Sequence, residues 1–251
     1  MTSACAPPTL IGVGVGPGDP DLITVKAIAA LRGADAILVP STETSGDDAG
    51  RAEQVVLAAC PDVAGRLRRV PFAMAARSGV DARRQQAWLA SATAALDAYA
   101  AGASTVAFAT VGDPSVYSTF SYLAAHVREL VPQLAVEVVP GITAMQALAA
   151  ASLTPLVEGR ESLTLIPVTA GLDAVDAALA SSDTVVAYKG GRQLGALLGR
   201  VSAAGRDGVL GVNVGLPGQE IRPLAEVDAD RAPYFSTVLV TPVRDRTGGR
   251  L

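Results

Sequence analysis

With 251 residues, half of them hydrophobic and 18% charged, the chain can bury one large core or two smaller ones. Its formal net charge of -4 and pI near 5.0 argue against a nucleic-acid partner, which would call for a basic stripe. The only two cysteines, Cys5 and Cys60, and a single histidine supply neither a disulfide framework nor a metal set, so free thiols and no metal are expected.

Met1 to Pro8 lacks the basic start and apolar core of a signal peptide, and no apolar run approaches a membrane span. A soluble, cytoplasmic protein with no membrane partner is expected. Thr9 to Val15 reads as a strand that runs into the glycine-rich loop Gly12-Val13-Gly14-Val15-Gly16-Pro17-Gly18-Asp19. Counted from Gly12, the third glycine of a dinucleotide fingerprint falls on Pro17; counted from Gly14, it falls on Asp19, so the fingerprint fails in both registers. No Lys followed by Ser or Thr comes after it, so it is not a P-loop. What remains is a turn that presents its backbone to a ligand, with Asp19 capping a helix that opens on Pro20 and carries an apolar stripe of Leu22, Ile23, Ile28 and Leu31.

Ala36 to Pro40 is a second strand. The polar stretch Ser41 to Gly50 is long enough to suggest a functional loop. A helix over Ala52 to Cys60, a short strand over Arg68 to Phe72 and an Ala-rich helix over Ala82 to Ala101 follow, with Trp88 as a helix-to-core anchor. Thr105 to Thr110 is an apolar, β-prone run suited to a strand buried on both faces. It ends in Gly112-Asp113-Pro114. Two readings of that tripeptide stand side by side: the floor of a small-molecule site beyond a strand's carboxyl end, or a tight turn into the helix Phe120 to Leu130 with Asp113 as cap. The strand Ala135 to Val139 again enters a Pro-Gly turn, and Thr143 stands where it could cap the helix Ala144 to Ser152. His126 reads as a surface residue.

Leu153 to Glu161 is the candidate linker, which divides the chain into residues 1–152 and 153–251. Beyond it come strands over Ser162 to Pro167, Thr184 to Tyr188 and Val209 to Val214, with helices over Leu172 to Ala180 and Leu194 to Ala204. Phe235 to Thr241 is a strand with no helix before it, which predicts an antiparallel member in a mixed sheet. The tail from Arg244 reads as frayed.

The ordered set Gly14 to Asp19, Gly112 to Thr119 and Val139 to Ala144 resembles the tetrapyrrole methylase family, and the resemblance spans about Leu10 to Val240. Tyr117 to Tyr122, Pro155 to Gly159, Lys189 with Arg192, and Ala232 to Thr237 are similar to the branch of that family that methylates C-20 of precorrin-2. Val111 stands where many relatives carry an acidic residue, and Tyr188 where related enzymes often carry Met.

The resemblance implies two α/β domains, the first with a mainly parallel sheet and the second with a mixed one, and S-adenosylmethionine in the cleft between them. It implies cofactor contacts at Gly112, Asp113, Val116, Tyr117, Ser118, Thr143, Ala144, Tyr188, Val214 and Thr237. Pro17, Asp19 and Ser41 would border the site of a precorrin-2-type tetrapyrrole. It also implies a homodimer. The substrate's carboxylates would be met by local Arg and Lys, because the net charge is acidic. No catalytic acid or base is assigned: methyl transfer from a sulfonium asks mainly for alignment. The alternatives are methylation at another ring carbon, a nicotinamide oxidoreductase, and a non-catalytic cofactor-binding module.

Overall fold

The computed structural model describes residues 7–41, 48–72 and 82–244. Cys5, most of the loop after Ser41 and nearly all of the tail lie outside the described residues. The chain divides into two compact units, Met1–Thr143 and Ala144–Leu251.

The first unit is built on five strands: β1 (Thr9–Gly14), β2 (Ala36–Ser41), β3 (Leu67–Pro71), β4 (Thr105–Thr110) and β5 (Ala135–Val139). They lie in the order β3-β2-β4-β1-β5, and every pairing is parallel. Four helices connect them: α1 (Val25–Gly33), α2 (Arg51–Ala59), α3 (Ala82–Ala100) and α4 (Phe120–Leu130). Strand alternation sorts the apolar runs onto two faces. Ile11, Val13, Ile37, Val39, Ala107 and Ala109 pack with Ala27 and Leu31 of α1 and Ala52, Val55 and Val56 of α2. Leu10, Leu38, Val106 and Phe108 pack with Ala92 and Ala95 of α3 and Phe120, Leu123 and Val127 of α4. Because both faces are covered, the strands read as continuous apolar runs in the sequence.

One helix start differs from the sequence reading. The Asp19 carboxylate accepts from the Asp21 N–H at 2.9 Å and so caps only a short 3-10 turn, Pro20–Leu22. The α-helix begins at Val25, where the Thr24 hydroxyl accepts from the Ala27 N–H at 3.1 Å. Two capping residues stand close together in the sequence, and the chain uses both; the extended backbone at Ile23 and Thr24 separates them.

The second unit contains α5 (Ala144–Ala151), β6 (Leu163–Pro167), α6 (Leu172–Ser181), β7 (Thr184–Tyr188), α7 (Leu194–Ala203), β8 (Asp207–Val212), β9 (Glu220–Pro223) and β10 (Ser236–Thr241). The sheet order is β6-β7-β10-β8-β9; β6 and β7 are parallel and the other pairings antiparallel. The sheet is mixed, with β10 the antiparallel member expected from its lack of a preceding helix. β9 was not expected: it is a short, half-buried edge strand that ends in Pro223 and carries little apolar pattern. Helices α6 and α7 cover one face through Val175, Leu179, Leu194, Leu197 and Val201. Leu148 of α5 packs on Val186 and Leu239 on the other. That contact places α5 in the second compact unit, one helix earlier in the chain than the division expected after Ser152.

A clamp recurs in both units, although the sequence shows no internal repeat. The Arg66 guanidinium donates to the Arg32 and Ala34 carbonyls at the end of α1, and Arg206 donates to the Leu179, Ser182 and Asp183 carbonyls at the end of α6. Each satisfies carbonyls that a helix end leaves without intrahelical partners. The next acidic residue along the chain then ties down a neighbouring strand start, Asp35 on Ser104 and Thr105, Asp183 on Ser162.

Candidate functional site

Because all five strands of the first sheet are parallel, their carboxyl ends share one edge, and β1 lies between β4 and β5. That order brings the three sequence loops together. The Val15 N–H donates to the Thr110 carbonyl at 3.0 Å, and Gly16 and Gly112 exchange hydrogen bonds in an isolated antiparallel bridge. The third loop closes on the other two with almost no room to spare. A Cβ on Gly14 would lie 2.6 Å from both the Gly112 carbonyl oxygen and the Gly141 nitrogen. A Cβ on Gly141 would lie 2.2 Å from the same carbonyl oxygen and 2.8 Å from the Gly14 carbonyl carbon. One glycine from each loop thus meets at a single backbone junction.

Gly112 has a different requirement. Its φ of 72° favours glycine, and a Cβ there would meet nothing nearer than the Thr143 Cα at 4.0 Å. The close approach therefore falls on Gly14 and Gly141, while Gly112 leaves open space beside its backbone.

Asp113 is buried in this junction. Its Oδ1 accepts from the Ser115 N–H at 2.7 Å and from the Ser115 hydroxyl, and its Oδ2 accepts from the Gly141 N–H at 2.9 Å. Burial alone would raise its pKa; the Ser115 hydroxyl and the Gly141 and Ser115 amides outweigh that and hold the carboxyl below its ordinary value. Both oxygens are engaged within the loops. Val116, half-buried, continues the turn through its N–H to the Asp113 carbonyl at 3.1 Å. The Ser118 hydroxyl donates to Thr110 Oγ1 and accepts from the Phe120 N–H at the start of α4.

Tyr117 sits at φ 53°; the residue as a whole is exposed, but partial desolvation of its hydroxyl pushes its pKa up. Thr143 is buried at the end of the third loop. Pro17 is buried and Asp19 half-buried in the first loop, and Ser41 ends β2 on the far side of β4. The structure therefore brings Pro17, Asp19, Ser41, Gly112, Asp113, Val116, Tyr117, Ser118 and Thr143 to one edge of the first sheet.

The second unit gathers its own set. Tyr188, at the carboxyl end of β7, pairs in register with Thr237 of β10. The Asn213 N–H donates to the Phe235 carbonyl at 2.9 Å, joining the end of β8 to the start of β10, and Val214 packs against the Leu148, Val186 and Leu239 cluster. The Tyr188 hydroxyl accepts from the Met145 N–H at 2.9 Å, which fixes the start of α5 beside Ala144. Tyr188 thereby satisfies one of the helix's orphan amides from a different element.

Four non-glycine residues adopt positive φ among the described residues, and three of them, Tyr117, Lys189 and Asn213, lie beyond the carboxyl ends of β4, β7 and β8. Such backbone costs about 1–3 kcal/mol each and clusters at functional sites. Sequence reading missed the junction of Gly14 with Gly141 and the Tyr188 bond to α5; the recurrence of glycine at each strand exit was the only signal for the first, and nothing local signals the second.

The parallel first sheet, the mixed second sheet and the glycine-built loops at the strand exits define a class: the chain belongs to the tetrapyrrole (corrin/porphyrin) methylases, whose family profile matches residues 9–228. It is 36% identical over 241 residues to the precorrin-2 C(20)-methyltransferase of Sinorhizobium sp, covering 94% of this chain and 96% of that protein. It is 32% identical to the cobalt-precorrin-2 C(20)-methyltransferase of Salmonella typhimurium, covering 92% of this chain and 95% of that protein. The fold is shared with the uroporphyrin-III C-methyl transferase of Thermus thermophilus solved with S-adenosyl homocysteine, at TM-score 0.63 and 20% identity over 93% of this chain and 92% of that one.

Proposed function

We propose that the protein transfers a methyl group from S-adenosylmethionine to the C-20 meso carbon of precorrin-2 or its cobalt form, in cobalamin biosynthesis. The observation that carries this reading is the three-loop junction with open space beside Gly112, on a chain whose full-length relatives are C-20 methyltransferases of precorrin-2 and cobalt-precorrin-2. The loops fit the cofactor on structural grounds: there is room beside the half-buried Gly112 backbone, and Tyr117 is exposed at a strained φ in the same loop. Gly112, Val116, Tyr117, Ser118 and Thr143 form the first domain's contribution, and Ala144, Tyr188, Val214 and Thr237 the second's. Pro17, Asp19 and Ser41 border the tetrapyrrole.

The cofactor supplies a methyl group already activated by its sulfonium, with a neutral thioether as leaving group. The chain's own task is to bind, orient and keep the reacting atoms dry, and orientation can contribute about 7–11 kcal/mol to lowering such a barrier. The reading includes a homodimer, for which exposed Leu130, Val138 and Leu153 offer apolar surface, and a cytoplasmic location, which suits the free thiol of Cys60.

The test is anaerobic incubation with metal-free and with cobalt-bearing precorrin-2 and a carbon-13-labelled methyl donor, followed by NMR of the product. A label at C-20 supports the proposal and shows which substrate form is used. A label at another carbon, or no transfer to either substrate, overturns it.

A further inference from the structure

Both oxygens of the Asp113 carboxylate are engaged by the protein itself: Ser115 holds one through its amide and hydroxyl, and the Gly141 amide holds the other. It lies at the point where the third loop closes on the second, next to the Gly112 carbonyl that Gly14 and Gly141 crowd from either side. Asp113 makes a side-chain hydrogen bond between these two loops. We propose that the Asp113 carboxylate is a positioning group that staples the Pro140–Thr143 loop to the Gly112–Ser118 loop and so sets the backbone shape offered to the cofactor, the carboxylate itself making no contact with the cofactor. This rests on the cofactor reading above.

A staple and a contact differ in what their loss does. Without the staple, the loops adopt the binding-competent shape for only a fraction of the time, and the apparent affinity falls by that fraction. The fall appears in the association rate, because once the ligand is seated its own contacts are unchanged. Loss of a direct contact appears in the dissociation rate instead. Asp113→Asn keeps the shape of the side chain but turns an NH2 group toward either the Ser115 or the Gly141 donor, so one of the two bonds is lost whichever way it faces.

The experiment measures S-adenosylhomocysteine binding to the full chain by surface plasmon resonance, and amide hydrogen exchange at Gly141 in the ligand-free protein. For Asp113→Asn the association rate falls about tenfold and the dissociation rate stays within about twofold, while the Gly141 amide loses protection. Should that variant fail to fold, Ser115→Ala, which removes the hydroxyl that holds the carboxylate in place and so weakens the staple, carries the same test with an association rate lowered about twofold to threefold. A raised dissociation rate with unchanged association makes Asp113 a ligand contact and overturns the proposal, as does an unprotected Gly141 amide in the parent. If the parent binds no S-adenosylhomocysteine, the cofactor reading fails; the exchange measurement still reports on the staple.

Discussion

The glycine junction supports a sharp contrast between two substitutions of the same kind. In Gly141→Ala, the new Cβ would lie 2.2 Å from the Gly112 carbonyl oxygen, about 1.2 Å inside the 3.4 Å at which ordinary contact begins. The atoms it meets are backbone of Gly112 and Gly14, so no flexible side chain can turn aside. The third loop must move, which stretches the Gly141 bond to Asp113. Overpacking costs about 1–3 kcal/mol and loss of a hydrogen bond to a charged group about 1.5–3, so a loss of roughly 3 kcal/mol is expected. For a chain of this size that lowers the melting temperature by about 6–12 °C. Gly112→Ala meets nothing within contact distance and carries only the strain of φ 72°, about 1–2 kcal/mol. Its Cβ enters the space beside the backbone, so under the proposed function its main expected effect is weaker S-adenosylhomocysteine binding. The chain's one tryptophan, Trp88, is buried in the first unit and stacked on Tyr122 at 4.2 Å, so its fluorescence follows melting of that unit. Calorimetric titration gives the affinities. A Gly141→Ala protein that melts within about 2 °C of the parent would refute the junction as the reason for these glycines.

Tyr188→Phe removes the acceptor for the Met145 amide and should destabilise the second unit by about 1 kcal/mol in urea unfolding followed by circular dichroism; an unchanged midpoint means that bond does not hold α5. The buried Glu161 carboxylate is held below its ordinary 4.5 by hydrogen bonds from Arg244, so its stabilising contribution is complete above that pH and is lost as pH falls through the lower folded value. Glu161→Gln should therefore be less stable than the parent at pH 7, and the difference should shrink in acid; a pH-independent difference would contradict the ion-pair account. Raising salt should increase the KM for a polycarboxylate tetrapyrrole while S-adenosylhomocysteine affinity changes little, because exposed charge pairs are screened and backbone contacts are not. Equal salt dependence of both would remove local Arg and Lys from substrate recognition.

Much of the fold follows from local pattern. The apolar runs at Thr105 to Thr110 and Thr184 to Tyr188 are strands because both faces of each are covered, and the missing helix before β10 marks it as the antiparallel member. These features depend on residues near one another in the chain, and so does the placing of Gly112, Asp113 and Thr143 just beyond strand ends. Glu220 to Pro223 was not legible because an edge strand of four half-exposed residues needs little apolar pattern of its own. Nor could the chain by itself decide between Asp113 as ligand group and Asp113 as turn cap. The partners its carboxylate takes in the fold, Ser115 and Gly141, include one that lies 28 residues away. The sheet order brings it near by placing β1 between β4 and β5. The same holds for the requirement at Gly14 and Gly141: a glycine in a sequence permits a close approach, but only the folded backbone shows which atoms come close. Tyr188 as cap for α5, with its partner 43 positions away in the chain, is a third case. Secondary structure is written in short-range periodicity, whereas a site assembled from strand exits depends on the order of strands in the sheet. That order is set by long-range burial of both faces, which no single stretch of the chain encodes.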